Sequence, residues 1–442
     1  GAERCGRGEH PGHQIPSANK PVEPRFIMLE PIREYAWEQL VPRGEVAALQ
    51  LAHATYYHAL AETVSAQWDS PTAAVAIAQL DREYDNIRAA LQWACDGGDR
   101  TLGLKLCVAL RKFWQRRGYY REGRAWLEEL LALDDNTSDP AAVATVARAL
   151  YTTAWLASDQ HDFARSEQLF GQAMALRHTL GETEDDAHLR LNAARQARVE
   201  GKYHRAVALF EEALLHHRSV GNRGSASSGG LGQSLYDLAL VRREQGHFAD
   251  ASALLSEGIA FHREIGEREG EVVGLLGLGD IARDQGDALR LREYSERSLA
   301  ISRDLGIRWA TGFALNNLAR AAYMEGDLPG ALALVDESLS IFRDLQSDAS
   351  RAEVLITQGH MLLAQGDRPS AYTAFHEALR LAATLGPRLM VASALEGLGS
   401  MAAEQGQAVR ALHLLGAASR LRVHMGTPVR PADQPAVEHA LV

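Results

Sequence analysis

Apolar residues along 309–346, WATGFALNNLARAAYMEGDLPGALALVDESLSIFRDLQ, fall into two helical stripes that meet at Gly326-Asp327. Leu315, Leu318, Ala319 and Ala322 share one face of the first. Ala331, Leu334, Val335, Ser338, Leu339 and Phe342 share one face of the second. The unit recurs. QGD or a close variant places Gly246, Gly286, Gly326, Gly366 and Gly406 at intervals of 40 residues, and His161 and Gly201 extend the series upstream. Such a period marks stacked helix pairs rather than one globular core. One interval is irregular: 45 residues separate Gly201 from Gly246. The surplus falls in a Gly/Ser-rich run over 219–234, which reads as a flexible inserted loop.

In this register the first helix of each pair carries a small residue, at Ala154, Ala194, Ala239, Gly279, Ala319, Gly359 and Gly399. The second carries Ala206, Ala251, Ala331, Ala371 and Ala411, with Ser166 and Leu291 in the remaining pairs. Small side chains at both points let two helices approach closely, and a glycine ends the first helix at positive φ. The pattern resembles tetratricopeptide repeats of a long kind. It predicts an all-α, right-handed superhelical solenoid of helix pairs over 136–425. The residues beyond the form of about 34 residues fit the segments after the second helix, such as 304–309 and 384–389.

Residues 1–24 are rich in Gly, Pro, His and charge without a period, and read as a disordered segment. Residues 25–44 hold RFIMLEPIREYAWEQL, with a short amphipathic helix starting at Pro31. Residues 45–135 read as four or five helices packing on the array, one of them carrying the stripe Leu80, Tyr84, Ile87, Leu91. Residues 426–442 form a tail. The junction RFIMLEPIREYA, with HATYYHALAE (53–62), residues 80–99 and residues 106–133, resembles the end of the winged-helix segment in bacterial STAND-type ATPases of LuxR- and AfsR-like transcriptional regulators. That resemblance implies an ATPase domain upstream and makes this chain similar to the C-terminal half of such a regulator. Nucleotide hydrolysis is not expected of these residues, because no GxxxxGK[ST] occurs and Gly201-Lys202 runs into Tyr203.

Composition narrows the rest. With 46% hydrophobic and 7% aromatic residues the chain suits packed helices, and its net charge of −11 opposes a polyanion. No apolar run approaches the about 20 residues of a membrane span, so a cytoplasmic protein is expected. Cys95 and Cys107 read as small packing residues, and Cys5, His10 and His13 lack zinc spacing, so no metal is expected. Asp81, Glu83 and Asp85 among Arg82 and Arg88 read as a solvated helix face rather than an acid–base set. Gly274, Gly277 and Gly279 only superficially resemble a dinucleotide fingerprint, Gly279 being a packing position. No nucleophile motif is present, and neither catalysis nor a cofactor is expected. The segment 111–126 gathers Phe113, Trp114, Tyr119, Tyr120 and Trp126 with six basic residues. It reads as a helix pair around Gly118, with direct DNA binding as the rival use.

A stacked array curls so that its first helices line the concave face. The register places Tyr151, Trp155 and Asp159 there, then Asn192, Arg195 and Arg198, then Tyr236, Asp237 and Arg243. Asp280 and Arg283 follow, then Asn316, Asn317, Arg320 and Tyr323, then His360. By resemblance to peptide-binding repeats, Asn192 and Asn317 would bond an extended backbone. The arginines offer forks for a carboxylate or phosphate unless Asp237, Asp280 and Asp284 already satisfy them. The expectation is a non-catalytic sensor or scaffold that takes a protein or peptide partner, with a small anionic inducer as a further option. A peptide-pheromone-type receptor and a direct DNA binder are the alternatives, and an ATPase is the least supported.

Overall fold

The computed structural model describes residues 30–68, 72–133, 139–160, 162–181, 187–220, 228–385, 388–429 and Pro431. Residues 1–24, His161, part of the 219–234 run and most of the 426–442 tail lie outside this set. The described residues form nineteen α-helices and no strand. They begin with α1 (Glu30–Leu40), α2 (Val46–Ser65), α3 (Ala73–Cys95), α4 (Arg100–Arg117) and α5 (Tyr120–Ala132). Next come α6 (Pro140–Asp159), α7 (Phe163–Thr179), α8 (Ala187–Val199), α9 (Tyr203–Val220), α10 (Ser228–Glu244), α11 (Phe248–Glu264) and α12 (Arg268–Gln285). The chain continues with α13 (Ala288–Asp304), α14 (Arg308–Met324), α15 (Leu328–Asp344), α16 (Asp348–Gln365), α17 (Arg368–Leu385), α18 (Arg388–Glu404) and α19 (Ala408–Met425). Residues 1–50 and 51–442 form two separate units. The first holds α1 and the start of α2. The second is the solenoid.

The QGD signature now has a local cause. Its glycine takes a left-handed turn, as at Gly286 (φ +78°) and Gly366 (φ +88°), where other residues are strained. Its aspartate caps the next helix: Asp287 accepts from the Arg290 amide at 3.0 Å and Asp327 from the Gly330 amide at 3.0 Å. α14 and α15 are each 17 residues long, with short connectors at 325–327 and 345–347, and these account for the whole 40-residue period. The expected surplus after the second helix is therefore absent, because the extra residues lengthen the helices themselves. Likewise 228–234, read from sequence as loop, begins α10.

Within each pair the small residues meet. Ala154, Ala194, Ala319, Ala206 and Ala331 are fully buried. Ser166 fits because its hydroxyl donates to the Ala154 carbonyl at 2.8 Å, and Leu291 packs with Ala282 and Ala321. α4 and α5 behave as an additional pair ahead of α6, hinged at Gly118.

Contacts also join helices eight to ten apart. α4 touches α14, and Ala73 of α3 packs with Val272, Leu305 and Ile307. Leu389 and Met425, from α18 and α19, pack with Leu191 and Tyr203 of α8 and α9. Successive turns of the right-handed superhelix thus rest on one another. Arg116, fully buried, donates to Glu269 at 2.7 Å and to the Trp68 carbonyl at 3.0 Å across this seam.

Gly118 tests the seam. A Cβ there would lie 2.5 Å from Leu345 Cδ2, whereas at Gly286, with the same φ of +78°, it would meet nothing within 4 Å. Gly118→Ala and Gly286→Ala share the left-handed cost of about 1–2 kcal/mol. Gly118→Ala is expected to lose at least about 1 kcal/mol more in urea unfolding. Equal losses would show that the turns do not press together there.

Candidate functional site

The first helices of successive pairs lie against one another, α8 on α10, α10 on α12, α12 on α14, α14 on α16 and α16 on α18. No two successive second helices share an extended contact among the described residues. The row of first helices is therefore the compressed, concave side.

Polar side chains cross that side in two repeating registers. In one, the residue six before the turn glycine of a pair reaches the residue nine before the turn of the next. Arg195 meets Asp237 at 2.8 Å, the Asn317 amide donates to Asp280 at 3.1 Å, and Arg320 donates to the Thr357 hydroxyl at 3.0 Å. In the other, the residue three before the turn reaches the residue two before the next turn. Gln115 donates to Asp159 at 2.8 Å, Arg198 to Glu244 at 2.7 Å, and Arg243 lies 3.6 Å from Asp284.

At α12 the second register fails, because Met324 stands where a carboxylate would be. Arg283, 5% exposed along its side chain, turns instead to Asp284 at 3.0 Å, Asp280 at 3.1 Å and Glu353 at 3.6 Å. Arg243 also pairs with Asp280. Burial opposes ionisation of Asp280, yet Arg283 and Arg243 outweigh it and hold its carboxyl below the ordinary aspartate range. Burial likewise opposes the charge on Arg283, and Asp280 and Asp284 override it.

The thirteen groove candidates divide accordingly. Arg195, Asp237, Arg198, Arg243, Asp280, Asn317 and Arg320 join the two registers, and Arg283, whose own rung fails, pairs with Asp280 and Asp284 on the same surface. Tyr323 is exposed, and His360 sits with its ring centroid 5.0 Å from that of Phe375. Asn192 is buried and donates to the Phe163 carbonyl at 3.1 Å. Tyr236 is buried, its hydroxyl donating to the Gly270 carbonyl at 2.6 Å while its ring stacks on His262. These two point into the packing between helices. Gln115, Glu244, Glu353 and Thr357 belong to the crossing set and escaped the sequence reading. The spacing from the turn residues could have found the first two.

Asn316 is also buried, and neither of its side-chain polar atoms has a hydrogen-bond partner within the protein. The same position holds the buried Leu276 and Ile356 in the neighbouring pairs. Asn316→Leu is expected to raise stability by about 1–3 kcal/mol, the cost of an unsatisfied buried amide. A urea midpoint that stays put or falls would assign Asn316 a partner or a role.

Part of the basic-aromatic segment is taken up by packing. Phe113 and Trp114 are fully buried, and the Trp114 indole donates to the Tyr84 hydroxyl at 2.8 Å. Arg117 pairs with Asp81, and Arg124 donates to Asp162 at 2.7 Å. Gly274 and Gly277 also serve packing, since a Cβ there would lie within 3 Å of Ile259 and Leu255 respectively. Among the described residues no three His, Cys, Asp or Glu side chains gather as metal ligands, and no helix is long and apolar enough to cross a membrane.

Residues 272–344 match the tetratricopeptide repeat family. Over 125 residues the chain is 35% identical to proteins named as HTH-type transcriptional regulators in Mycobacterium bovis and Mycobacterium tuberculosis. That match covers 28% of this chain and 14% of the relatives, so it spans a small part of their length. The fold is similar to that of a Rap protein complexed with competence and sporulation factor, at TM-score 0.56 and 12% identity, covering 86% of this chain and 99% of that one. It is also similar to the Rap conjugation gene regulator of plasmid pLS20 in complex with the Phr* peptide, at TM-score 0.53 and 11% identity, covering 84% and 96%. Tetratricopeptide pairs thus account for the period and for the small residues where the helices cross.

Proposed function

We propose that the concave side of the array is the peptide- or protein-binding surface of a regulatory module in a transcriptional or signal-transduction protein. One observation carries this reading: the compressed row of first helices bears a continuous line of charged and amide side chains, partly open to solvent, flanked by Trp155 and Tyr323. Side chains already ordered by their neighbours lose little conformational entropy on binding, which suits recognition of a polar main chain. The peptide-bound Rap structures of similar fold and the sequence likeness to proteins named as transcriptional regulators support it.

Output follows from the seam between turns. A ligand wedged among the first helices would change their spacing, and one superhelical turn along the chain that change reaches the contacts of Arg116 and Gly118. Direct DNA reading by 111–126 has less support, since two of its five aromatics, Phe113 and Trp114, are buried.

The test uses the full chain and a synthetic random heptapeptide pool, with bound peptides identified by mass spectrometry. Retention should fall at least about tenfold, worth 1.4 kcal/mol, for the pair Arg195→Ala and Arg320→Ala, and not for Val423→Ser on the exposed face of α19. Retention unchanged by the groove pair would refute the surface.

A further inference from the structure

The register joining residues three before one turn to residues two before the next has three rungs, and one differs in charge. Glu244 faces Arg198 and Asp284 faces Arg243, whereas Asp159 faces the neutral Gln115. Among the described residues no Lys, Arg or His nitrogen lies within ion-pair distance of Asp159. Asp159 is an exposed residue at the concave end of α6, one turn after Trp155. Tyr120 of α5 is close enough to interact with it electrostatically.

From the other helices, Arg111 and Arg195 act on Asp159 from a distance and Asp237 opposes them. Arg195 is engaged with Asp237 and stacked over Trp155, its guanidinium 5.1 Å from the ring centroid. Crowding by protein pushes the Asp159 carboxyl up from its ordinary value, despite the hydrogen bond from Gln115. The site therefore has a carboxylate, an amide that orients it, and an aromatic ring that already accepts a guanidinium. It lacks the positive charge that each equivalent rung possesses.

We propose that Asp159 is the cation subsite of the groove, taking the guanidinium of an arginine side chain in the bound peptide. This rests on the reading of the concave side as a peptide surface and names one chemical requirement of its ligand. The incoming guanidinium would complete the third rung: a forked hydrogen bond to Asp159, with Gln115 holding the carboxylate in place.

Two probes test it on the full chain, N-acetyl-arginine amide and its neutral isostere N-acetyl-citrulline amide, read by saturation-transfer NMR and calorimetry. The arginine probe should bind wild type at least about tenfold more tightly than either Asp159→Asn or Gln115→Arg, and the citrulline probe should bind all three weakly. Gln115→Arg supplies the missing charge from within and leaves the carboxylate in place, so loss of binding in a folded Gln115→Arg chain marks occupancy of the rung. Circular dichroism melts confirm that both variants fold. Equal binding of the arginine probe to wild type and Asp159→Asn, or no binding to wild type, overturns the proposal. Heptapeptides retained by the groove without enrichment in arginine would overturn this subsite alone, whereas no retention at all would remove the peptide surface with it.

Discussion

Arg116→Ala is expected to destabilise the array by about 3–5 kcal/mol, the cost of breaking a buried ion pair from one side. Arg116 is fully buried, and its guanidinium lies 5.1 Å from the Trp68 ring centroid while it donates to the Trp68 carbonyl and to Glu269. Removal leaves the part-buried Glu269 carboxylate without its partner and frees a main-chain carbonyl. The loss should appear as a lower urea midpoint together with faster amide exchange in the helices that meet at the seam, α3, α4, α12 and α14. Glu269→Gln should cost less, since an amide oxygen still accepts from Arg116. A shift under about 1 kcal/mol for Arg116→Ala would mean that the turns are held by apolar contact alone.

Arg283→Ala is expected to cost a similar amount at neutral pH, again about 3–5 kcal/mol, and to show a pH dependence that wild type lacks. Arg283 offsets Asp280 and Asp284, both close-packed on the concave side. In wild type the Asp280 carboxyl titrates below its ordinary value. The stability this provides is present above the unfolded pKa of about 3.9 and is lost as pH falls through the folded value. Between pH 7 and pH 5 wild type should therefore be insensitive on this account. Without Arg283, burial weighs more heavily against the Asp280 charge and only Arg243 opposes it, so the Asp280 carboxyl moves up and the variant takes up protons on folding in that window. The penalty measured at pH 5 should be clearly smaller than at pH 7. A penalty independent of pH would trace the loss to packing of the side chain and not to its charge.

The parts of this fold that were legible in the sequence are those decided within a few residues. Gly286 must enter the left-handed region and Asp287 caps the helix that follows, so both mark the repeat wherever they fall. Helix length was misjudged, because the residues of 304–309 are polar enough to read as connector while Asp304 and Arg308 in fact end and begin helices. The seam left no trace in the pattern. Leu345 and Met425 look like ordinary interior residues until Gly118 and Gly201 arrive opposite them from the neighbouring turn.

The groove lay between these cases. Register alone gathered Arg195, Asp237, Arg243 and Asp280 on one side, but which pairs would meet depends on how far one helix is displaced along the next. Tyr236 and Asn192 sit a few residues from the exposed line and turn inward, where neighbouring helices supply carbonyl acceptors. Gln115 sits in α4, one pair ahead of the counted series, and is reached only when Gly118 is taken as a further turn.

Resting one turn on another also limits how the array can be rebuilt. In an open solenoid a pair can be duplicated or deleted with little penalty, since each touches only its neighbours. Here Arg116 finds Glu269, and Gly201 finds Met425, at fixed distances along the winding. A copied 40-residue unit inserted between α9 and α10 would carry α12 and α19 past their partners and separate both contacts. The number of pairs per turn is thus part of the specification, and pairs that look interchangeable in sequence are not interchangeable in place.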